Sequence, residues 1–266
     1  MGEVIVITSG KGGVGKTTTT ANLGVGLALI GKKVALIDAD IGLRNLDVVM
    51  GLENRIVYDL VDVVDGRCRS KQALIRDKRY ENLFLLPAAQ TRDKNAVSPE
   101  QMKTLCEELS EEFDYIIVDC PAGIEQGFRN AIAGADRALI VTTPEVSAVR
   151  DADRIIGLLE AAEIKESRLI INRIRPDMVK RGDMMDIDDI LEILAIELIG
   201  VIPDDEKIII STNRGEPVVA NENGSMSGQA YRNIVRRVAG EEVEFLDLCK
   251  NPSFFGRLKK IMGLGG

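Results

Sequence analysis

Short apolar runs alternate along the chain with longer stretches in which apolar residues recur every three or four positions. The short runs are rich in valine, isoleucine and leucine, which predicts strands buried inside a sheet. The longer stretches have the period of amphipathic helices. Predicted strands centre on Ile5, Leu36, Phe84, Ile117, Leu139, Ile170 and Val201, and predicted helices span Lys16–Ile30, Pro99–Glu112, Gln126–Ala133, Ser147–Ala162, Asp186–Glu197 and Ser225–Val238.

The alternation predicts an α/β fold, with one domain built on a doubly wound, mostly parallel β-sheet that has helices on both faces. Residues 1–240 form the predicted domain, 241–252 a linker, and 253–266 a C-terminal amphipathic tail. A chain of 266 residues is long enough to bury one large core. Ligands of such sheets bind at the carboxyl ends of the strands, so we expect the functional residues there.

The loop after the first predicted strand matches the phosphate-binding pattern G-x-x-x-x-G-K-[ST] and leads into a predicted helix, as that motif requires. Its glycines let backbone N–H groups point at phosphate oxygens, and the helix N-terminus adds a positive dipole. We expect Lys16 to reach the β- and γ-phosphates and the Thr17 hydroxyl to bind Mg²⁺. A glycine turn before a helix is the simpler alternative. The predicted nucleotide-binding residues are Gly10, Lys11, Gly12, Gly13, Val14, Gly15, Lys16, Thr17 and Thr18.

A second lysine, Lys11, follows the first glycine of the loop, and an ordinary phosphate loop does not need it. The sequence K-G-G-V-G-K-T-T resembles the deviant Walker A loop of the superfamily that contains ParA, MinD and the nitrogenase iron protein. In that superfamily the additional lysine crosses to the nucleotide of a partner subunit. The resemblance implies that Lys11 and Lys16 are both catalytic and that ATP lies between two chains. Taken alone, Lys11 could equally be a solvated surface cation.

Two aspartate clusters follow buried predicted strands: Asp38 and Asp40 come after 34–37, and Asp119 after 115–118. A carboxylate in such a place is costly unless it is hydrogen-bonded or faces a cation. Beside a phosphate loop, the two clusters predict a Mg²⁺–triphosphate site. By resemblance, Asp119 holds Mg²⁺ through water as the Walker B residue, and Asp38 lies near the metal. Asp40 resembles the switch I aspartate that orients the attacking water. Asp119 or Asp38 taken alone could instead cap the following turn.

The identity of the base is indicated by the segment after the predicted strand around Ile170. GTP-binding P-loop proteins usually carry N-K-x-D there, whereas this chain reads N-R-I-R from Asn172 and lacks the aspartate. Related ATPases place an asparagine at this point, against adenine. The resemblance therefore implies ATP, with Asn172 as a base contact and Pro203 and Asp204 on the other side of the base. Asn172 as a plain turn residue remains an alternative.

Composition excludes several kinds of chemistry. The chain has no histidine, so Ser-His and Cys-His catalysis are ruled out, and acid–base steps must use carboxylates, lysine or water. The four cysteines have no C-x-x-C spacing, which argues against a zinc knuckle or a disulfide framework. Cys120 follows a predicted strand and is expected to be a small buried residue rather than a nucleophile. A net charge of −8 makes nucleic acid an improbable partner.

Without a signal-peptide pattern or an apolar run of roughly 18 residues, the domain is expected in the cytoplasm. The tail, however, combines a serine cap, helical spacing, two phenylalanines and three cations with no acidic residue. Such a basic amphipathic helix fits an anionic membrane surface. A terminal helix that packs on the protein's own core is the alternative. The predicted membrane contacts are Phe254, Phe255, Leu258, Lys259, Lys260, Ile261 and Met262.

Longer motifs extend the resemblance to septum site-determining ATPases, the MinD family. They read SGKGGVGKTT, DADIGLRNLD, VDCPAGIE, PEVSAVRDADRI, RGDMM and NRGEPVV, and with the tail they span nearly the whole chain. In that family, ATP-bound dimers gather on the cytoplasmic face of the inner membrane and recruit the division inhibitor MinC. A topological regulator such as MinE stimulates an otherwise slow hydrolysis. The resemblance implies a partner face of Arg44, Asn45 and the helix with Asp151 and Asp153, although these aspartates could simply favour a helix start.

Other members of the superfamily are the competing hypotheses. A DNA-partitioning ATPase of the ParA type needs a basic surface, which an acidic chain with a lipid-type tail disfavours. A flagellar-placement relative also carries a membrane tail and differs in its cellular phenotype. An iron-protein reductase would show iron and colour, and a small-molecule kinase would not respond to lipid.

Overall fold

The computed structural model describes residues 1–93, 96–164, 166–221 and 225–248. Its strands are β1 (Glu3–Thr8), β2 (Val34–Asp38), β3 (Ile75–Arg76), β4 (Leu83–Leu86), β5 (Tyr115–Asp119), β6 (Arg137–Thr142), β7 (Glu166–Ile174) and β8 (Glu197–Pro203). Its helices are α1 (Lys16–Leu29), α2 (Leu46–Val49), α3 (Leu60–Val64), α4 (Ser70–Ala73), α5 (Pro99–Ser110), α6 (Gln126–Ile132), α7 (Val146–Ala161), α8 (Pro176–Arg181), α9 (Ile187–Leu194), α10 (Glu206–Asn213) and α11 (Met226–Val238). Two short 3₁₀ turns cover Glu53–Arg55 and Val218–Ala220.

The strands form one eight-stranded sheet in the order β3-β4-β2-β5-β1-β6-β7-β8. Every pairing is parallel except the one between β3 and β4. The seven predicted strands are confirmed, and so is the mostly parallel sheet. Strand order reverses at β1, which lies between β5 and β6. A doubly wound sheet binds its ligand at such a reversal, and here the phosphate loop follows β1.

Helices cover both faces of the sheet, as the alternation predicts. In β1, Val4 and Val6 point into a core that α3, α5, α6, α7 and α9 close. Ile5 and Ile7 point the other way, into a core closed by α1, α2 and α11. Because successive side chains of a strand face opposite sides, both faces of a central strand must be apolar. This requirement explains the continuous apolar runs in the sequence.

The predicted helices exist, but one of them extends too far. The helix expected over Asp186–Glu197 ends at Leu194, because Ala195 has a positive φ of 47° and Glu197 already begins β8. The short helices α2, α3, α4, α8 and α10 are not among the predictions. Their four to eight residues are too few for a helical period to stand out.

The first part of the predicted linker, 241–248, packs on the domain. Phe245 lies against the Arg237 guanidinium at 3.9 Å from the ring centroid, and Arg237 also donates to the carbonyl oxygens of Val243 and Ile199. Leu248 contacts the core beneath. The remaining linker residues and the predicted membrane contacts from Phe254 to Met262 lie outside the described residues. Within the described ranges, no helix has the length and apolar character to cross a bilayer.

The cysteines in the described ranges are unpaired. Cys68, Cys106 and Cys120 are free thiols, and Cys249 lies outside the described residues. Burial raises the pKa of the Cys120 thiol to about 12, so it stays protonated at neutral pH. Cys120 is therefore a small buried residue, as expected, and not an activated nucleophile.

Candidate functional site

The loop between β1 and α1 has the backbone of a phosphate cradle. Gly13 and Gly15 adopt positive φ angles of 77° and 106°, a region that favours glycine. Gly15 is the N-cap of α1, and its carbonyl accepts the first helical bond from Thr19 at 2.9 Å. The loop therefore delivers a helix N-terminus, with its unpaired N–H groups and positive dipole, to the carboxyl end of the central strand.

Lys16 is buried at the start of α1, with only 8% of its surface exposed. Its Nζ donates to Ser9 Oγ at 3.1 Å, and Ser9 Oγ in turn donates to the Lys11 carbonyl at 2.8 Å. The ammonium is thus held inside the loop by one neutral partner. A phosphate oxygen would offer this cation a charged acceptor and a stronger bond.

The phosphate loop packs directly on α7. A side-chain carbon at Gly10 would lie 2.4 Å from the Asp151 carbonyl oxygen and 2.6 Å from its Cβ, closer than atoms can approach. Only glycine fits at this position. The contact places α7, which carries the predicted partner residues Asp151 and Asp153, against the nucleotide loop.

Two buried carboxylates lie side by side below the loop. Asp38 and Asp119 are register partners at the carboxyl ends of β2 and β5. Asp38 accepts backbone N–H bonds from Asp40, Asn45 and Leu46 at 3.0–3.2 Å. Asp119 accepts the Thr20 hydroxyl at 3.2 Å. The sequence-predicted metal residues are therefore brought together.

The electrostatics of the Asp38 and Asp119 carboxylates favour a bound cation. Burial, and then the charge of the other carboxylate, raise the pKa of Asp119 to about 7. Burial raises the pKa of Asp38 to about 6 against the opposing backbone hydrogen bonds. The Thr17 hydroxyl lowers the pKa of Asp119 against these effects, so the groups assembled here are oxygens, which Mg²⁺ prefers as ligands. No cluster of three metal-binding His, Cys, Asp or Glu side chains occurs in the described ranges, so phosphate and water oxygens would have to complete the shell.

We expect Asp119→Asn to stabilise the nucleotide-free protein by about 2–4 kcal/mol at pH 8. The folded pKa of Asp119 lies above its ordinary value of 3.8, so the folded state prefers the protonated acid. The wild-type penalty is therefore absent well below pH 4, grows between pH 4 and 7, and is complete above pH 7. Thermal unfolding of the wild type and the Asp119→Asn variant at pH 5 and pH 8 measures this pH-dependent penalty. Glu160→Gln, at an exposed position on α7, is the control, and an equal gain at both pH values would contradict the assignment.

Asp40 is part of the segment that follows β2, and it lines a cavity shared with the segment that follows β5. It lines a small cavity with Ile41, Pro121, Glu125 and Phe128 among others. Its backbone N–H bonds Asp38 at 3.0 Å, which links it to the carboxylate pair. Asp40 is thus linked to the carboxylate pair through its backbone and is half-exposed.

The residues predicted to surround the base lie at the ends of β7 and β8. Ile174 pairs with Pro203 across these strands, and the Asp204 N–H donates to the Ile174 carbonyl at 3.0 Å. Asn172 is buried, and its side-chain amide donates to the Val14 carbonyl of the phosphate loop at 2.7 Å. The predicted residues therefore share one edge of the site, and Asn172 reaches the loop itself.

The Lys11 side chain bonds to the start of α7. Its Nζ donates to Glu145 Oε2 at 2.9 Å and to Ser147 Oγ at 3.2 Å, on the segment that starts α7. Glu145 and Ser147 are not among the residues predicted from the sequence, and they are 134 and 136 residues away from Lys11 along the chain. No local motif marks such a distant pairing. Ser9 was missed as well, although its place directly before the loop is a signal that could have been used.

The predicted partner residues differ in exposure. Asn45 and Asp153 are exposed, whereas Asp151 is half-buried beside the phosphate loop. Arg44 has a positive φ of 40°, and its Nε lies 3.0 Å from the fully buried Asp47 carboxylate. Arg44 therefore has a partner within its own chain, one that the sequence did not indicate.

The fold and the loop define a P-loop nucleotide-binding protein of the doubly wound class, and comparison with known proteins agrees. Residues 5–218 match the family described as CobQ/CobB/MinD/ParA nucleotide binding domain. The septum site-determining protein MinD of Bacillus subtilis is 60% identical over 267 residues, which cover 99% of each chain.

Solved structures give the same result. The chain matches MinD in a MinC:MinD cell division protein complex from Aquifex aeolicus at 54% identity and a TM-score of 0.85, over 91% of this chain and 98% of that one. It matches the MinD of Pyrococcus horikoshii, complexed with Mg-ADP, at 30% identity and a TM-score of 0.82, over 90% and 96%. The chain belongs to the MinD family of septum site-determining ATPases, within the ParA/MinD group.

Proposed function

We propose that this protein dimerises around Mg²⁺-ATP, binds the anionic cytoplasmic face of the cell membrane in that state, and recruits a division inhibitor of the MinC type. Hydrolysis is slow until a topological regulator of the MinE type stimulates it, and it returns the chain to the cytoplasm as a monomer. The observation that carries the proposal is a phosphate loop with two lysines above a pair of buried aspartates.

Within the site, each group has a proposed task. Lys16 contacts the β- and γ-phosphates, and the Thr17 hydroxyl is a direct Mg²⁺ ligand. Asp119 and Asp38 hold the metal's water ligands, since two buried carboxylates with raised pKa values are stabilised by a cation. Asp40 orients the attacking water. Bound Mg²⁺ supplies neutralisation of phosphate charge.

Lys11 is free to change partners at low cost. Its side chain is 41% exposed and that of Glu145 is 58% exposed, so their ion pair is a surface pair. Such pairs contribute about 0–1 kcal/mol, much less than a charge-assisted bond to phosphate in a closed interface. We propose that Lys11 leaves Glu145 and Ser147 when a second copy brings its nucleotide within reach.

We also propose a division of the chain into a nucleotide-binding domain, a linker and a membrane-binding tail. Residues 1–240 bind nucleotide and 253–266 contact the membrane, with 241–252 between them. Since Phe245 and Leu248 pack on the domain, about four residues separate the packed segment from the start of the tail.

The proposed partner face lies beside the nucleotide. Asn45 binds the Asp38 carboxylate through its backbone N–H, and α7 touches the phosphate loop at Gly10. A partner bound to Asn45 and to Asp151 and Asp153 on α7 would therefore contact both segments that sense the phosphates. The Aquifex aeolicus relative is named in a complex with MinC, which supports an inhibitor of that type here.

The proposal predicts that the chain is a dimer with Mg²⁺-ATP and a monomer with Mg²⁺-ADP. Lys11→Ala should remain monomeric with ATP while it keeps most of its nucleotide affinity, because Lys11 contacts the partner's nucleotide rather than its own. Light scattering measures the molar mass of the protein in the presence of each nucleotide. Binding of fluorescent ATP measures its nucleotide affinity.

Lys103→Ala is the matched control, since Lys103 is an exposed lysine on α5. It should dimerise as the wild type does. A Lys11→Ala protein that dimerises and hydrolyses ATP normally would refute the role of Lys11 in the partner's site. A wild-type chain that stays monomeric in both nucleotides would refute the dimer itself.

A further inference from the structure

One arginine holds residues 241–248, here called the C-terminal strap, against the domain. Arg237, in the last turn of α11, donates from Nε and Nη2 to the Val243 carbonyl at 3.1 and 3.0 Å. Its Nη1 donates to the Ile199 carbonyl of β8 at 2.9 Å. The ring of Phe245 covers the guanidinium at 3.9 Å. A single side chain therefore joins α11, the strap and the sheet.

The strap lies at the open edge of the sheet. Among the described strands, β8 pairs with β7 alone, so its other edge has backbone groups without a strand partner. Arg237 supplies a donor to this edge. Leu246 packs into the core on the α11 side of the sheet, and Leu248 packs into the core on the opposite side. Both line a small cavity with Leu198 and Val201 of β8. The strap thus contacts the edge strand from both faces.

Arg237 is the stronger of two arginine contacts to the strap. Burial, and then the charge of Arg236, lower the pKa of Arg237 to about 10, so it is still charged at neutral pH. Its bonds to two carbonyl oxygens are therefore charge-assisted. The adjacent Arg236 pairs with Glu241 at 2.7 Å, but their side chains are 48% and 49% exposed. Exposed pairs of this kind contribute little to stability.

We propose that Arg237 is a positioning residue for membrane binding, because it fixes the strap and so keeps the connection to the membrane-binding tail short. This inference rests on the proposed membrane function. In the sequence, the four residues 249–252 separate the strap from the tail at 253–266. With the strap released, the connection would begin where α11 ends and would comprise the 14 residues 239–252.

The length of this connection matters when two tails bind together. Once one tail of a dimer is on the membrane, the effective concentration of the second falls roughly as the −3/2 power of the connection's length. The increase on release of the strap would lower it about sixfold. A single tail on a monomer has no such gain to lose. The ATP and ADP states should therefore respond differently to release of the strap.

The test uses Arg237→Gln in the full chain, with Arg236→Gln as the matched control. Both variants lose one charge from the same turn of α11, and only the first loses the bonds to Val243 and Ile199. With Mg²⁺-ATP, affinity for vesicles that contain anionic lipid should fall about sixfold in Arg237→Gln and stay at the wild-type value in Arg236→Gln. With Mg²⁺-ADP and excess lipid, the weak binding should be equal in all three proteins.

Two further measurements show where the effect arises. Hydrogen exchange of the backbone amides in 243–248 should become faster in Arg237→Gln, since the strap loses its anchor. ATP turnover without vesicles should equal that of the wild type. Phe245→Ala removes the ring over the guanidinium without a change of charge, and it serves as a second variant if Arg237→Gln does not fold. It too should weaken vesicle binding with ATP and not with ADP.

Wild-type vesicle affinity with ATP in a variant whose strap exchanges faster would overturn the inference. An equal loss of affinity with ATP and with ADP would overturn it as well, because the effect would then not depend on two tails. Unchanged exchange in both variants would contradict the role of Arg237 as an anchor. A wild-type chain that does not bind these vesicles with ATP would instead remove the proposed membrane function.

Discussion

Lys16→Gln should abolish ATP turnover, with a loss of at least about 10²–10³-fold in kcat, as is typical when one donor to a developing negative charge is removed. Lys16 is the buried cation of the phosphate loop, and Ser9 Oγ is its neutral partner at 3.1 Å. Glutamine is one atom shorter than lysine and keeps an N–H donor, but it carries no charge. It cannot neutralise charge that accumulates on the γ-phosphate during transfer.

Phosphate release from ATP, measured with a coupled assay at saturating Mg²⁺-ATP, checks this expectation. Lys103→Gln, at an exposed position on α5, is the matched control and should hydrolyse ATP at the wild-type rate. Unfolding curves of the variants, recorded beside that of the wild type, check that each protein is folded under the assay conditions. Normal hydrolysis by the Lys16 variant would remove the phosphate loop from the proposed mechanism.

The second large effect concerns the membrane. We expect the chain cut after Pro252 to lose ATP-dependent pelleting with vesicles that contain anionic lipid, whereas the intact chain pellets with ATP and not with ADP. An isolated helix of about ten residues is marginal in water, and a single such tail binds membranes weakly. Two tails on one dimer gain about 10²–10⁴ in avidity without any new contact.

Matched variants separate the two components of tail binding. Phe254→Ala removes apolar area, and Lys259→Gln removes a charge worth about 1 kcal/mol near an anionic surface. Both should weaken pelleting, and only the second effect should shrink as salt is raised. ATP hydrolysis by the shortened chain in solution is the control for an intact domain. Equal pelleting with ATP and with ADP would contradict the proposed nucleotide switch. Undiminished pelleting of the shortened chain would contradict the proposed membrane role of the tail.

The sheet could be predicted from sequence because each of its central strands is apolar on both faces. The runs around Ile5, Ile117 and Leu139 admit few other interpretations once helical patterns separate them. Strand β3 could not be predicted, since its two residues, Ile75 and Arg76, pair only at the sheet edge. Local sequence carries too little information for an element of that length.

The residues of the candidate site also differ in how far the sequence predicts them. The phosphate loop and the residues Asp38 and Asp119 lie where strands end, so motif and strand position together bring them to one edge. The ion pair of Lys11 and the bond from Asn172 to the phosphate loop join residues more than 130 positions apart. Such contacts follow from the packing of α7 and β7 on the loop. No spacing in the sequence encodes them.

The glycine contact between the phosphate loop and α7 has a mechanical consequence. Gly10 packs against the Asp151 main chain with no side chain between the two segments. A shift of one segment therefore cannot be taken up by the rotation of a side chain at this contact. We therefore expect a displacement of the loop and a displacement of α7 to be coupled. If the proposed regulator binds α7, this contact would link its binding to the state of the nucleotide.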